Sequence, residues 1–324
     1  MKRIAIWLLI IVSTILGLTS AALFQMVNPL DQTKVRISIP LGSSAHSIEK
    51  LLVIGSVIRP HSGFYILAKL FGFAEKFQAG VYEIAPAQPL IATLFQLTNG
   101  AASQASRVLV TFPEGTSIYK MGVILQSKWV SDPDQFQALV HEGITADLRL
   151  KHWAIFKYIP SESLEGYLYP DTYWFFTNEP VDDMVETMLK RFEKVVLTYW
   201  QSATGKTKLS LHETLTLASI IEKEAKHPEE RPIIASVFYN RLRVGMPLAA
   251  DPTIKYALER PSKKVYYDQL EVDSLYNTYK RKGLPPGPIC NPGIESFKAA
   301  VQPAKTDYFF FVANKDGRHI FSKT

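Results

Sequence analysis

The chain has 324 residues, 47% of them hydrophobic and 20% charged, which is enough for two or three units with real cores. Its formal charge is +6, and setting aside Lys2 and Arg3 leaves +4, a scattered basic excess that fits an anionic surface or polymer and argues against nucleic-acid binding. The single cysteine, Cys290, excludes an internal disulfide and any cysteine-based metal site.

In chain order, Ile4 to Val27 is an almost uncharged apolar run. A bilayer core needs about 20 apolar residues in a helix, and a signal peptide has a shorter apolar region of about 7 to 15. The run therefore reads as an uncleaved anchor, residues 1–27. Lys2 and Arg3 keep the short end cytoplasmic, which sends everything after about Asn28 outside the plasma membrane as a single-pass protein. A short polar linker, 28–33, follows.

Val35 to Ile39 alternates like a strand, Pro40-Leu-Gly42 turns, and Ser43-Ser44 caps a helix through Ile48, Leu51 and Leu52. Arg107 to Phe112, Pro113-Glu-Gly115 and Thr116-Ser117 repeat that order, a weak internal repeat. Between them the pattern predicts a helix from Ser62 to Phe71, a strand from Ala79 to Ile84 and a helix from Pro89 to Leu97 ended by Asn99-Gly100. The fold class is α+β: a small module over 34–105, then a larger α+β domain over 106–324. In the latter, Asp132 to Lys151 is mixed and charged, and Ser161 to Phe176 is dense in aromatics and reads as irregular. Helices are predicted from Val181 to Trp200, Leu211 to Ala225, Pro232 to Leu242 and Ile294 to Val301. Gly245 to Pro292 reads as loop-rich. A closing hairpin pairs Tyr308–Val312 with Arg318–Phe321 about an Asn314-Lys-Asp-Gly317 turn, with Phe309-Phe-Phe311 in the core.

On the helix from Leu211, steps of about 100° per residue gather Leu211, Leu215, Leu217, Ala218 and Ile221 on one stripe and put His212, Thr216, Ser219 and Lys223 opposite. Glu222 falls on the apolar side. A carboxyl group in low-dielectric surroundings holds its proton to higher pH, as a general acid requires; the bland alternative is a carboxylate buried against an Arg or Lys from elsewhere. Glu224, about 200° away, sits at the stripe's margin and is the weaker candidate.

The chain has no phosphate loop, Rossmann fingerprint, helical His pair or G-x-S-x-G elbow, so nothing in it asks for a metal or cofactor. Carboxylates, aromatics and amides remain, a set suited to sugars. Leu164-Glu-Gly-Tyr-Leu-Tyr-Pro-Asp-Thr-Tyr173, Leu217 to Ala225, Ser236 to Leu242 with Ala250-Asp-Pro-Thr253, and Tyr276-Asn-Thr-Tyr279 with Gly283 to Pro288 and Asn291-Pro-Gly293 resemble the endolytic murein transglycosylases of the MltG, or YceG-like, family. Order and spacing match over nearly the whole chain, although family members usually continue past Thr324 into a His-Asn-bearing tail.

The resemblance implies a membrane helix, a LysM-like module and a catalytic domain. It implies peptidoglycan glycan strands as substrate, cut endolytically with 1,6-anhydro-N-acetylmuramic acid ends so that elongation of nascent strands stops. Peptidoglycan synthases are implied as partners, and no cofactor. It assigns the catalytic glutamate to Glu222. Asp251, Tyr276, Asn277, Tyr279 and Asn240 become substrate-binding candidates, each with a local structural reading beside it, and Glu165 and Asp171 read as acceptors for local backbone, with second carboxylates as the alternative. A hydrolytic muramidase, which needs a second carboxylate, and a non-catalytic wall-binding scaffold are the rivals.

Overall fold

A computed structural model describes residues 17, 19, 22–39, 43–99, 107–141, 143–160, 162–177, 179–203, 205–258 and 265–324. Most of the expected anchor and the Pro40–Gly42 turn lie outside these. Among the described residues, no helix is long and apolar enough to cross a membrane. The chain divides into two compact units: the first takes the described residues up to Val108 with Phe176–Pro180, and the second takes Leu109–Phe175 with Val181–Thr324.

In the first unit, β1 (Val35–Ile39) pairs antiparallel with β2 (Gly80–Ile84), Ile37 opposite Tyr82. Period-two alternation buries Ile37 and Ile39 against α1 (Ala45–Ile54), α2 (Phe64–Leu70) and α3 (Leu90–Thr98). Ser44 caps α1 by accepting from the Ser47 N–H at 3.2 Å, as its position before the apolar period predicts. Tyr82 is buried to its hydroxyl, which donates to the Gln78 carbonyl at 2.7 Å; burial pushes its phenol up to about 12. The chain ahead of β1 is tied to this core. Ala22 and Leu23 pack on this core, Gln25 donates to the Ser62 carbonyl at 2.6 Å, and the Val27 and Asn28 N–H groups share the Pro86 carbonyl. A polar composition left those backbone donors unassigned, and the module's own carbonyls take them up.

The second unit is mostly helical: α4 (Ile118–Ser127), α5 (Pro133–His141), α6 (Ala146–Lys151), α7 (Trp153–Phe156), α8 (Val181–Phe192), α9 (Leu211–Glu224), α10 (Arg231–Arg243), α11 (Asp251–Ala257) and α12 (Ile294–Val301). α8 runs on through a π-helical turn, Glu193–Leu197, to Ser202. β3 (Arg107–Thr111) pairs with β4 (Thr172–Phe176), and β5 (Phe310–Ala313) with β6 (His319–Ser322).

Four expectations change here. The aromatic segment ends in a strand, β4, because Thr172 to Phe176 is β-branched and aromatic once Pro170 has passed. Short helices occupy 133–156, where charged residues hide the apolar period. α11 interrupts the loop-rich stretch, with Pro252 in its first turn, where a missing N–H costs nothing. The closing hairpin forms as expected, but Phe310 is exposed, since a two-stranded ribbon covers only one of its faces.

α9 starts in a full capping box: Ser210 accepts from the Glu213 N–H, and the Glu213 carboxylate accepts from the Ser210 N–H at 2.8 Å. It is buried nearly all round rather than on one stripe, with Thr216 and Ser219 as deep as Leu215. Their hydroxyls bond back to helix carbonyls, so a small polar face can be covered by the 289–291 segment: the Ile289 N–H donates to Ser219 Oγ at 3.0 Å.

Candidate active site

Two carboxylates leave the last turn of α9 in different directions, and each meets its own set of groups. Glu222 does not face apolar surroundings. Its Oε1 lies 3.4 Å from Arg231 Nη2 of α10, and its Oε2 accepts the Gly293 N–H at 3.1 Å, at the start of α12. Arg231 is held by Ser296 Oγ at 3.0 Å and also stands 4.0 Å from Glu114, in the Pro113–Gly115 turn. The Glu114 carboxyl lies over Gly293 so closely that a Cβ there would meet it at 2.0 Å, so that position excludes any larger side chain unless Glu114 moves. Burial and the neighbouring Glu222 push the Glu114 carboxyl above its ordinary range, with Arg231 acting against them. The helical wheel located the face of Glu222 but could not see the guanidinium that α10 brings to it.

Glu224 faces the other cluster. Burial first, and then the Asp251 carboxylate, push its carboxyl up to about 7, against the opposing charges of Lys255 and Arg241. A position in the last turn of a helix, at the negative end of the dipole, acts in the same sense. Asp251, exposed at the head of α11, accepts the Tyr279 hydroxyl at 2.5 Å. Arg241 is buried, donating to the Phe309 carbonyl at 2.7 Å and the Leu248 carbonyl at 2.6 Å, which fixes its charge beside Tyr279 and Glu224. Of the residues singled out in the sequence, Asp251 and Tyr279 therefore gather at Glu224. The roughly 200° between the two glutamates is what separates the clusters.

The remaining candidates hold the scaffold. Asn277 is buried; its amide donates to the Leu270 and Val272 carbonyls and its oxygen accepts from the Tyr279 N–H, so it shapes the loop that presents Tyr279. Asn240 donates to the Thr306 and Tyr308 carbonyls and accepts from Arg243. Tyr276 packs its ring on Tyr256, centroids 4.8 Å apart. Asp171 is paired with Arg191 Nε at 2.7 Å.

Behind the clusters, Asn291 joins distant parts of the chain. Its side-chain amide donates to the Thr116 carbonyl at 2.9 Å and accepts the Leu168 N–H at 3.0 Å, while its backbone pairs with Thr116 and Gly115. Glu165 is buried beside it and accepts the Ile118 N–H at 3.1 Å, from the start of α4, along with the local Gly166 N–H. Burial pushes the Glu165 carboxyl up to about 8 despite those bonds and one from Tyr256. Above the ordinary carboxyl range the unfolded chain ionises while the folded one keeps its proton, so stability falls as pH rises from about 4.5 to about 8. Glu165→Gln, which keeps an acceptor and cannot ionise, is expected to melt higher than the parent at pH 8 and to show a smaller difference at pH 4.5.

The class of protein is thus an α+β chain whose site is built from carboxylates, tyrosines and buried arginines, an acid–base set with one carboxyl titrating near neutrality. Comparison with known proteins then places it: the model of the YceG-like family matches residues 37–324, and the chain belongs to that family. It is 38% identical to the endolytic murein transglycosylase of Bacillus subtilis over 94% of this chain and 85% of that one. It is 28% identical to the enzyme of that name from Streptococcus pneumoniae, over 86% of this chain and 54% of the longer relative. A crystal structure of a yceG-like protein from Listeria monocytogenes, 36% identical, superposes with a TM-score of 0.60 and covers 90% of this chain and 96% of that one.

Proposed function

We propose that the chain is an endolytic lytic transglycosylase that cuts the glycosidic bond after N-acetylmuramic acid in peptidoglycan strands, and that Glu224 is its general acid. The observation that carries the acid is the place of Glu224 beside Asp251, which accepts the Tyr279 hydroxyl at 2.5 Å; burial and that carboxylate push the Glu224 carboxyl up to about 7. The protonated carboxyl gives its proton to the glycosidic oxygen as the bond to the anomeric carbon breaks. The resulting carboxylate takes the proton of the same sugar's 6-hydroxyl as that oxygen closes on the anomeric carbon. No water is consumed, and the attack is effectively unimolecular. The family resemblance nominates Glu222 for this step; both of its oxygens are already engaged as acceptors, by Arg231 and the Gly293 N–H. The similarity to named transglycosylases supports the reaction.

A hydrolytic muramidase is the second reading, and the nearness of Asp251 to Glu224 favours it, since a hydrolase needs a second carboxylate. Mass spectrometry of a digest of purified glycan strands separates the two. Strands ending in 1,6-anhydro-N-acetylmuramic acid, one water lighter than hydrolysis products and of mixed lengths, are expected. Reducing ends carrying oxygen-18 from solvent would establish the hydrolase.

A general acid must be protonated, so kcat/KM is expected to fall as pH rises through about 7. Asp251→Asn removes the repelling charge and is expected to move that limb to lower pH, as a pH series on soluble glycan would show. A limb that stays in place with the fold intact would detach Asp251 from the acid.

The rest of the reading is topological. The apolar run within residues 1–27 anchors the protein in the plasma membrane by a single helix that ends before Gln25, a LysM-like module spans 34–105, and the catalytic domain, 106–324, works outside the membrane on nascent strands, ending their elongation beside peptidoglycan synthases. The apolar run with Lys2 and Arg3 supports the anchor.

A further inference from the structure

The first unit carries apolar side chains that its own core does not cover. Ile66 and Leu70, one turn apart on the outer side of α2, are 68% and 66% exposed. Phe71, Phe73 and Phe95 continue the patch by ring contact, with centroids 6.2 Å and then 5.4 Å apart, and Phe71 and Phe95 are themselves exposed. Lys69 lies within it and Lys76 just beyond it, both exposed, with the exposed Glu75 beside Lys76. The patch offers aliphatic and phenyl surface and a few ammonium groups, which suits hydrocarbon under phosphate headgroups rather than a sugar face.

The way the unit meets the upstream chain says what covers that patch. Ala22 and Leu23, near the end of the run, pack on the unit's core. Gln25 is bonded to Ser62, two residues before α2, and accepts the Leu90 N–H at 3.1 Å at the head of α3. Phe24, between the two, points its ring outward and is 63% exposed. The end of the apolar run is therefore fixed to the start of the helix that bears Ile66 and Leu70, with no free tether between them. A bilayer holding the run would have this surface at its headgroup level.

We propose that the first unit lies on the outer surface of the lipid bilayer, docked through Phe24, Ile66, Leu70, Phe71 and Phe95. The proposal rests on the anchor reading given above. The contact would set the height at which the chain emerges from the membrane and keep the second unit close to newly made strands.

The test uses the full chain in vesicles of phosphatidylglycerol and phosphatidylethanolamine. Cys290 is the only cysteine and is buried, so single cysteines at 66, 71 and 95 take an environment-sensitive fluorophore selectively. A label at Val312, on the exposed hairpin, is the control. Labels on the patch are expected to shift to the blue and to lose intensity to lipids spin-labelled near the headgroup, well beyond the label at 312. Patch labels that stay in water, in protein shown by intact mass to retain its N-terminus and to sediment with the vesicles, would overturn the surface contact alone. A chain lacking residues 1–21 that does not sediment would support the anchor, and one whose patch labels then also stay in water would tie the contact to it; a full chain that stays in the supernatant would overturn the anchor and the contact together. Quenching by a spin-labelled second copy of the chain, and not by lipid, would assign the patch to self-association and overturn the proposal.

Discussion

Glu224→Gln is expected to abolish glycan cleavage while leaving the fold in place. The amide keeps the size of the side chain and cannot give a proton to a leaving oxygen, and general acid catalysis contributes about 10²- to 10⁴-fold. Glu222→Gln is expected to do less harm to chemistry and more to the last turn of α9, because it loosens the join to Arg231 and the Gly293 N–H. Turnover of both purified variants on soluble strands, with circular dichroism to confirm folding, checks the pair. Loss of activity in Glu222→Gln with full activity in Glu224→Gln would return the acid to the residue the motif nominates. Full activity in both would remove each glutamate from the acid's role, whereas a parent chain that cuts no strand would leave a wall-binding scaffold.

Gly166→Ala is expected to be the most destabilising single change in the second unit. Gly166 has φ +88, in the left-handed region, and a Cβ there would lie 2.5 Å from the Pro288 ring and 3.2 Å from Leu215. The backbone conformation costs about 1–3 kcal/mol for a residue with a side chain, and overpacking against a rigid ring adds about as much again. Pro288 cannot swing aside as a long side chain would. A fall in melting temperature of several degrees is expected by calorimetry, along with lost activity, because the displaced 288–291 segment covers α9. An unchanged melting temperature would contradict the geometry.

Local signals carried the elements well. Ser44 and Ser117 stand where the capping rule puts them, β1 alternates as its residues suggest, and the Asn314 to Gly317 turn closes its hairpin. Where period and charge conflict, as in 133–156, the short helices stayed hidden. The site was legible in its residue types but not in its assembly. Helical geometry put Glu222 and Glu224 on different sides, and only tertiary packing decides that one meets Arg231 and the other Asp251. Glu114 and Arg231 were missed altogether; the Pro-Glu-Gly turn read as a turn, and an arginine at the head of a helix carries no local sign of its partner. Asn277 looked like a cleft residue because buried amides and sugar-binding amides have the same side chain, and only the Leu270 and Val272 carbonyls tell them apart.

Asn291 bears on how the protein comes into being. Its partners Thr116 and Leu168 precede it by 175 and 123 residues, so the contacts that close the second unit have high sequence separation and form late in folding. Synthesis runs from the N-terminus, so Glu222 and Glu224 leave the ribosome before Asn291 and both carboxylates exist before the segment behind them does. The site therefore gains its back wall only after residue 291 has been made.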